Sequence, residues 1–204
     1  MTSLTALALT CSLKPSPAPS SSDLIADQVL TELRTHDVTG DKIRLVDFDI
    51  RPGVEPDMGN GDQWPQIRAR ISEADILLIS TPTWLGQMSS VAKRALERLD
   101  AELSETDDRG RPVLFDKVAI AAVVGNEDGA HAIVASLFQA LNDCGFTIPA
   151  QGCTYWNGEA MTPGDYNDLD GIPDAVASTN ATVARTAAHL ARTLRAQPYP
   201  AVQE

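Results

Sequence analysis

The stretch from Ala74 to Asp100, ADILLISTPTWLGQMSSVAKRALERLD, constrains the fold more than any other part of the chain. Ile76 to Ile79 is an apolar run of strand length, and a turn carrying Pro82 and Gly86 follows it. Met88, Val91, Ala92, Ala95, Leu96 and Leu99 then recur at helical spacing, which predicts an amphipathic helix. A strand that feeds a polar and aromatic loop and then a helix is the repeating unit of an open α/β sheet. Ligands of such sheets bind beyond the carboxyl ends of the strands, so Thr81 to Gln87 is the first place to look for chemistry. There Pro82 fixes φ, Gly86 lets backbone approach a ligand closely, and Trp84 offers a large flat face. With the backbone N–H groups of Thr83, Trp84, Leu85, Gly86 and Gln87, the loop suits the edge of a planar heteroaromatic ring. The competing reading is a Trp84 that plugs the core beside a simple turn.

The same alternation runs through the chain. Leu4 to Leu9, Ile43 to Ile50, Val118 to Val124 and Thr147 to Trp156 read as further strands, the second by its alternation of apolar and charged residues. Helical patterns begin near Asp23, follow Trp64-Pro65 as far as Glu73, end at a C′ glycine Gly145, and close the chain over Ala175 to Arg195. Five strands alternating with helices imply a three-layer α/β fold, a parallel sheet with helices on both faces; we choose the flavodoxin-like order 2-1-3-4-5. Its switch point lies between the first and third strands.

That topology brings three loops together. After the first strand come Ser12 and Lys14, a Pro/Ser-rich connection, and then Ser20, Ser21 and Ser22 at a helix start. Hydroxyls and free N–H groups at a helix N-terminus hold a phosphate with little help from basic side chains, though a solvated Ser/Pro linker reads the same way. The third loop, GNEDGAH, carries Gly125, Asn126, Asp128 and Gly129. Jointly the three loops suit a mononucleotide with a flat ring: phosphate on the first, ring on the second and third. His131 and Trp156 stand next to these loops as candidates for substrate contact. One helix N-terminus is sized for a terminal phosphate, and no GxGxxG serves a pyrophosphate.

Composition narrows the alternatives. Acidic residues outnumber basic ones 28 to 16, and the net charge of −12 disfavours nucleic acid and anionic membrane. With 204 residues, 43% of them hydrophobic, one core can be buried, and we expect a single domain over 1–204. Cys11, Cys144 and Cys153 are far apart with no CxxC, which argues for a reducing compartment, hence a cytoplasmic protein, and against a zinc or iron-sulfur site. The start MTSLTALALTCS lacks the basic residues of a secretion signal, and no apolar run reaches transmembrane length. GxSxG, HExxH and GxxxxGK[ST] are absent. Arg51 to Gln63, rich in Pro, Gly and Asp, is long enough that it should cover the ligand or, with Trp64, a partner subunit.

TPTWLGQMSSVAKRALERLD resembles the ring-binding loop and following helix of the flavodoxin-like NAD(P)H-dependent FMN reductases and quinone reductases, whose pattern is roughly P-x-[YW]-x-G-x-x-[ST]-x-x-x-K. Pro82, Trp84, Gly86, Ser89 or Ser90, and Lys93 fit it; VVGNEDGAH matches the family's second flavin loop more loosely. The first loop departs, with Cys11-Ser12-Leu13-Lys14 where the family often has Gly-Ser-x-Arg. The resemblance implies bound FMN, NADPH or NADH as electron donor, a flavin, quinone or other small molecule as acceptor, and a homodimer or homotetramer. It also implies no protein nucleophile, since the flavin carries the chemistry. A flavodoxin-type electron carrier and a flavin-free interaction module are the alternatives.

Overall fold

The computed structural model describes residues 3–201. Strand β1, Leu4–Thr10, is followed by helix α1, Ser21–Arg34, then β2, Val38–Arg44, α2, Trp64–Glu73, and β3, Ile76–Trp84. A two-residue strand β4, Gln87–Met88, precedes α3, Ser90–Leu99; β5, Val118–Gly125, α4, Ala130–Asp143, β6, Cys153–Asn157, and α5, Asp174–Ala196, complete the order. The sheet runs β2-β1-β3-β5-β6, all parallel, with β4 paired antiparallel to the end of β3. Apart from that short hairpin strand, this is the flavodoxin-like order expected from the sequence.

Strand alternation sorts the apolar residues into two cores. Leu7, Leu9, Leu77 and Ile79 face one layer with Trp64, Ile67 and Leu137, while Ala6, Ala8, Ile76 and Leu78 face α1 and α5 through Ile25, Val29, Val183 and Ala187. Helix starts follow local chemistry. Ser20 caps α1 by accepting from the Asp23 N–H, and Ser89 caps α3 by accepting from Ala92 N–H.

Three boundaries differ from the sequence reading. The second strand is Val38–Arg44 rather than Ile43 to Ile50, and Leu45–Asp47 forms a 3-10 turn. Its glycine disguises it: a Cβ at Gly40 would stand 2.7 Å from Leu30 Cδ2, so the close crossing of α1 demands the residue that least resembles a strand former. The expected strand from Thr147 is broken. Thr147 makes an isolated bridge to Val118, and regular pairing resumes only at Cys153, past Pro149, which has no N–H to give to a ladder. Finally, β3 does not stop at Ile79 but continues through Pro82 to Trp84, because the chain folds back on itself as a hairpin before α3 begins.

The connection 51–63 is pinned, and none of its residues lines the cavity described below. Asp62 and Arg98 form an ion pair at 2.7 Å with both side chains fully buried, and Arg98 also donates to the carbonyls of Arg51 and Glu55. Burial alone would raise the Asp62 carboxyl, but N–H groups of Met58 and Arg51, the Arg98 guanidinium and Trp64 N–H hold it down at about 2. Trp64 is fully buried beneath Arg98, whose guanidinium carbon lies 5.6 Å from the ring centroid. The expectation that this segment covers the ligand is therefore corrected: within the chain the loop clamps α3, and Trp64 fills the core.

Candidate functional site

The carboxyl ends of β1, β3, β5 and β6 meet in a cavity of about 350 Å³. Ser12, Leu13 and Lys14 form one end of its lining with Ser20, Ser21 and Ser22 at the start of α1. Pro82, Thr83 and Trp84 come from β3, and Val124, Gly125, Asn126 and Glu127 from the end of β5. Trp156, Ala160, Met161, Asp165 and Tyr166 close the remaining wall.

The first loop is held in place from below. Ser80 Oγ donates to the Ser22 carbonyl at 2.6 Å, Ser89 Oγ to the Cys11 carbonyl at 2.7 Å, and Cys11 N–H bonds the Ser80 carbonyl at 2.8 Å. From the side, Arg44 donates to the carbonyls of Lys14 and Ala18, and Asp47 accepts from Ser16 N–H and Oγ. Asp23, in the first turn of α1, would oppose an anion there. It is engaged elsewhere: burial would raise its carboxyl, but hydrogen bonds from Arg44 and Thr10 and the charge of Lys42 hold it below the usual range. What remains at this end is a set of hydroxyls, the N–H groups of a 14-residue helix and the exposed Lys14, which is the donor set a phosphate needs.

The middle of the cavity is shaped by close approaches of backbone. Leu85 and Gly86 turn the β3–β4 hairpin with φ of 52° and 70°. A Cβ on Gly129 would lie 2.8 Å from Gly86 Cα, so the hairpin tip and the loop after β5 press together where neither has a side chain. Glu127 ties them further, its Oε1 accepting from Leu85 N–H at 2.6 Å. Trp84 is 55% exposed, which removes the reading in which it plugs the core. Across the cavity Trp156 packs on Tyr166 with ring centroids 5.4 Å apart, and Tyr166 OH donates to Gln28 Oε1.

The candidates named from the sequence divide accordingly. Ser12, Lys14, Ser20, Ser21, Ser22, Pro82, Thr83, Trp84, Gly125, Asn126 and Trp156 line one cavity. Leu85, Gly86, Gln87, Asp128 and Gly129 do not; Leu85 and Gly86 form the hairpin tip, and Gly129 is the N-cap of α4. His131 lies outside too, its Nε2 3.0 Å from Tyr155 OH. Sequence reasoning missed Leu13, Val124, Glu127, Ala160, Met161, Asp165 and Tyr166 as lining residues. For the last four, the only signal was the length of the irregular stretch after β6.

Residues 4–160 match the family model described as NADPH-dependent FMN reductase. The chain belongs to that family. Among relatives of this FMN reductase family member, the 8-demethyl-8-aminoriboflavin-5'-phosphate synthase of Streptomyces davaonensis is 31% identical over 208 residues, covering 96% of this chain and 80% of the relative. The crystal structure of RosB with bound intermediate 8-demethyl-8-formylriboflavin-5'-phosphate superimposes with a TM-score of 0.87 at 29% identity, over 96% of this chain and 82% of that one. A stretch of 169 residues, 81% of this chain, is 37% identical to the divalent metal cation transporter MntH of Mycobacterium bovis, but spans only 25% of that protein. Among the described residues no helix is long and apolar enough to cross a membrane.

Proposed function

We propose that the cavity binds FMN, with the phosphate at Ser12 to Ser22 and the ring against the β3–β4 hairpin and the loop after β5, and that the protein passes electrons from NADPH or NADH to a small acceptor such as a flavin or quinone. The observation that carries this reading is the convergence of three loops, distant in sequence, on one cavity with phosphate-type donors at one end and aromatic walls at the other. Its volume falls within the roughly 300–1,000 Å³ of small-molecule sites.

Bound FMN would accept hydride at ring N5 and hand electrons on, so the protein's part is position and electrostatics. The α1 N-terminus and Ser20 to Ser22 hold the phosphate. Trp84 and Trp156, both in the lining, limit access of water to the ring, and the apposed Gly86 and Gly129 fix the hairpin that the ring edge meets. None of the three thiols is poised as a nucleophile: burial raises Cys11 far above its usual range, Cys144 to about 11, and Cys153 upward.

A second reading has its own support. The family model ends at residue 160, while the flavin-synthesising relative matches 96% of the chain, and Met161, Asp165 and Tyr166 of the cavity lie in the additional part. FMN would then be a substrate that the protein alters. Two incubations with FMN separate the two, an anaerobic one with NADPH or NADH and an aerobic one with an amino donor, since exchanging a ring methyl for an amino group needs an oxidant and a source of nitrogen. Bleaching of the flavin in the first with its mass unchanged after reoxidation supports the reductase; a changed flavin mass in the second supports the other reading; absence of both results refutes both. A cytoplasmic location and a homodimer or homotetramer complete the proposal, and light scattering showing only a 21.8 kDa species would remove the oligomer.

A further inference from the structure

Glu127 is a charged residue at the mouth of the cavity that the phosphate and ring assignments leave without a role. Glu127 lines the cavity, and its carboxylate accepts from Leu85 N–H at 2.6 Å and has no cationic partner among the described residues. Asp165 lines the same space, also without a cation, its Oδ1 3.4 Å from Asn126 Nδ2. Among the described residues Lys14 is the only basic side chain in the lining, and it belongs to the phosphate end. The ring end of the cavity is therefore net negative.

We propose that Glu127 sets the reduction potential of the bound flavin, holding the oxidised ring in preference to the anionic reduced one. The inference rests on the FMN reading above. Reduction adds two electrons to the ring and one proton at N5; with N1 left unprotonated, the ring gains one negative charge. A carboxylate at the hairpin tip opposes that charge in a site from which water is partly excluded, and the neutral oxidised ring meets no such penalty. The Leu85 N–H is also committed to Glu127, so that amide is not free to offset the new charge. The protein thus binds reduced FMN more weakly than oxidised FMN, and the couple moves to a more negative potential on binding.

Redox titration of the FMN-loaded protein with dithionite and a reference dye, at a pH where reduced FMN is anionic, tests this. The bound potential should be more negative than that of free FMN. Glu127→Gln keeps an acceptor for Leu85 N–H but removes the charge, and it should shift the ratio of reduced to oxidised affinity about tenfold toward the reduced form, or about +30 mV for a two-electron couple. A merely structural role for Glu127 would alter melting temperature and leave the potential in place. A wild-type potential at or above that of free FMN overturns the proposal whether or not the variant folds, as does a folded Glu127→Gln protein with an unchanged potential. Failure of the wild type to bind FMN in either redox state overturns the cofactor reading itself, and that result is distinguishable from a wrong sign of shift.

Discussion

Gly129→Ala and Gly86→Ala make a matched pair, because the two glycines touch but their surroundings differ. Both have positive φ, 127° and 70°, so an alanine at either is strained, by roughly 1–2 kcal/mol for an ordinary left-handed residue. At Gly86 a Cβ meets nothing within 4 Å, and strain is the whole cost. At Gly129 the Cβ would be 2.8 Å from Gly86 Cα and 2.8 Å from Gly86 O. Those are backbone atoms, which cannot swing aside like the end of a flexible side chain, and overpacking of this kind adds roughly 1–3 kcal/mol. Gly129→Ala should therefore lose about 2–5 kcal/mol in urea melts, or lose less by letting the hairpin move off, and in either case FMN affinity should fall at least tenfold. Gly86→Ala should lose about 1–2 kcal/mol and keep FMN affinity within a few-fold. Gly86→Val puts a β-branched side chain at the same positive φ and should cost more stability than Gly86→Ala, still outside the cavity lining. Urea denaturation gives the stabilities and quenching of flavin fluorescence gives the affinities. If Gly129→Ala and Gly86→Ala prove equal in both, the contact between the two loops does not shape the site.

Other expectations follow from the same geometry. Asp62→Asn or Arg98→Met strands one partner of a fully buried pair and should cost about 3–5 kcal/mol by thermal or urea melts, with little effect if the loop is not clamped. The Asp62 carboxyl, held at about 2 in the folded chain against about 3.9 unfolded, contributes stability above the unfolded value that is lost as pH falls from about 4 toward 2; Asp62→Asn should flatten that part of the acid titration. Ser20→Ala removes the α1 cap, costing about 1 kcal/mol, and should weaken FMN more than riboflavin; equal weakening would place the phosphate elsewhere. His131→Ala should leave FMN uptake unchanged and alter only turnover, since the side chain bonds Tyr155 outside the cavity; loss of flavin would reverse that assignment.

The sheet order and the loops that line the cavity were legible because each rests on short-range signals: apolar runs, a serine cap, a Pro–Trp–Gly turn. What was not legible depends on contacts between distant segments. Gly40 conceals β2 because Leu30 crosses over it. The loop 51–63 reads as a lid until Arg98, far along the chain, is seen buried against Asp62. Glu127 sits between Asn126 and Asp128, which were picked for the site, and its own role is hidden because its bond to Leu85 N–H exists only once β3 and β5 are paired. Asp165 and Tyr166 enter through an irregular stretch with no periodicity to place it.

The most direct test of the account is uptake of FMN by the purified chain, followed by its visible absorbance and by equilibrium dialysis. The account predicts equimolar binding of FMN, a perturbed flavin spectrum, and loss of both in Ser21→Glu protein, which carries a negative charge among the phosphate donors and is shown by circular dichroism to be folded. Failure of the wild-type protein to bind FMN after reconstitution, or normal FMN content in folded Ser21→Glu, would contradict it.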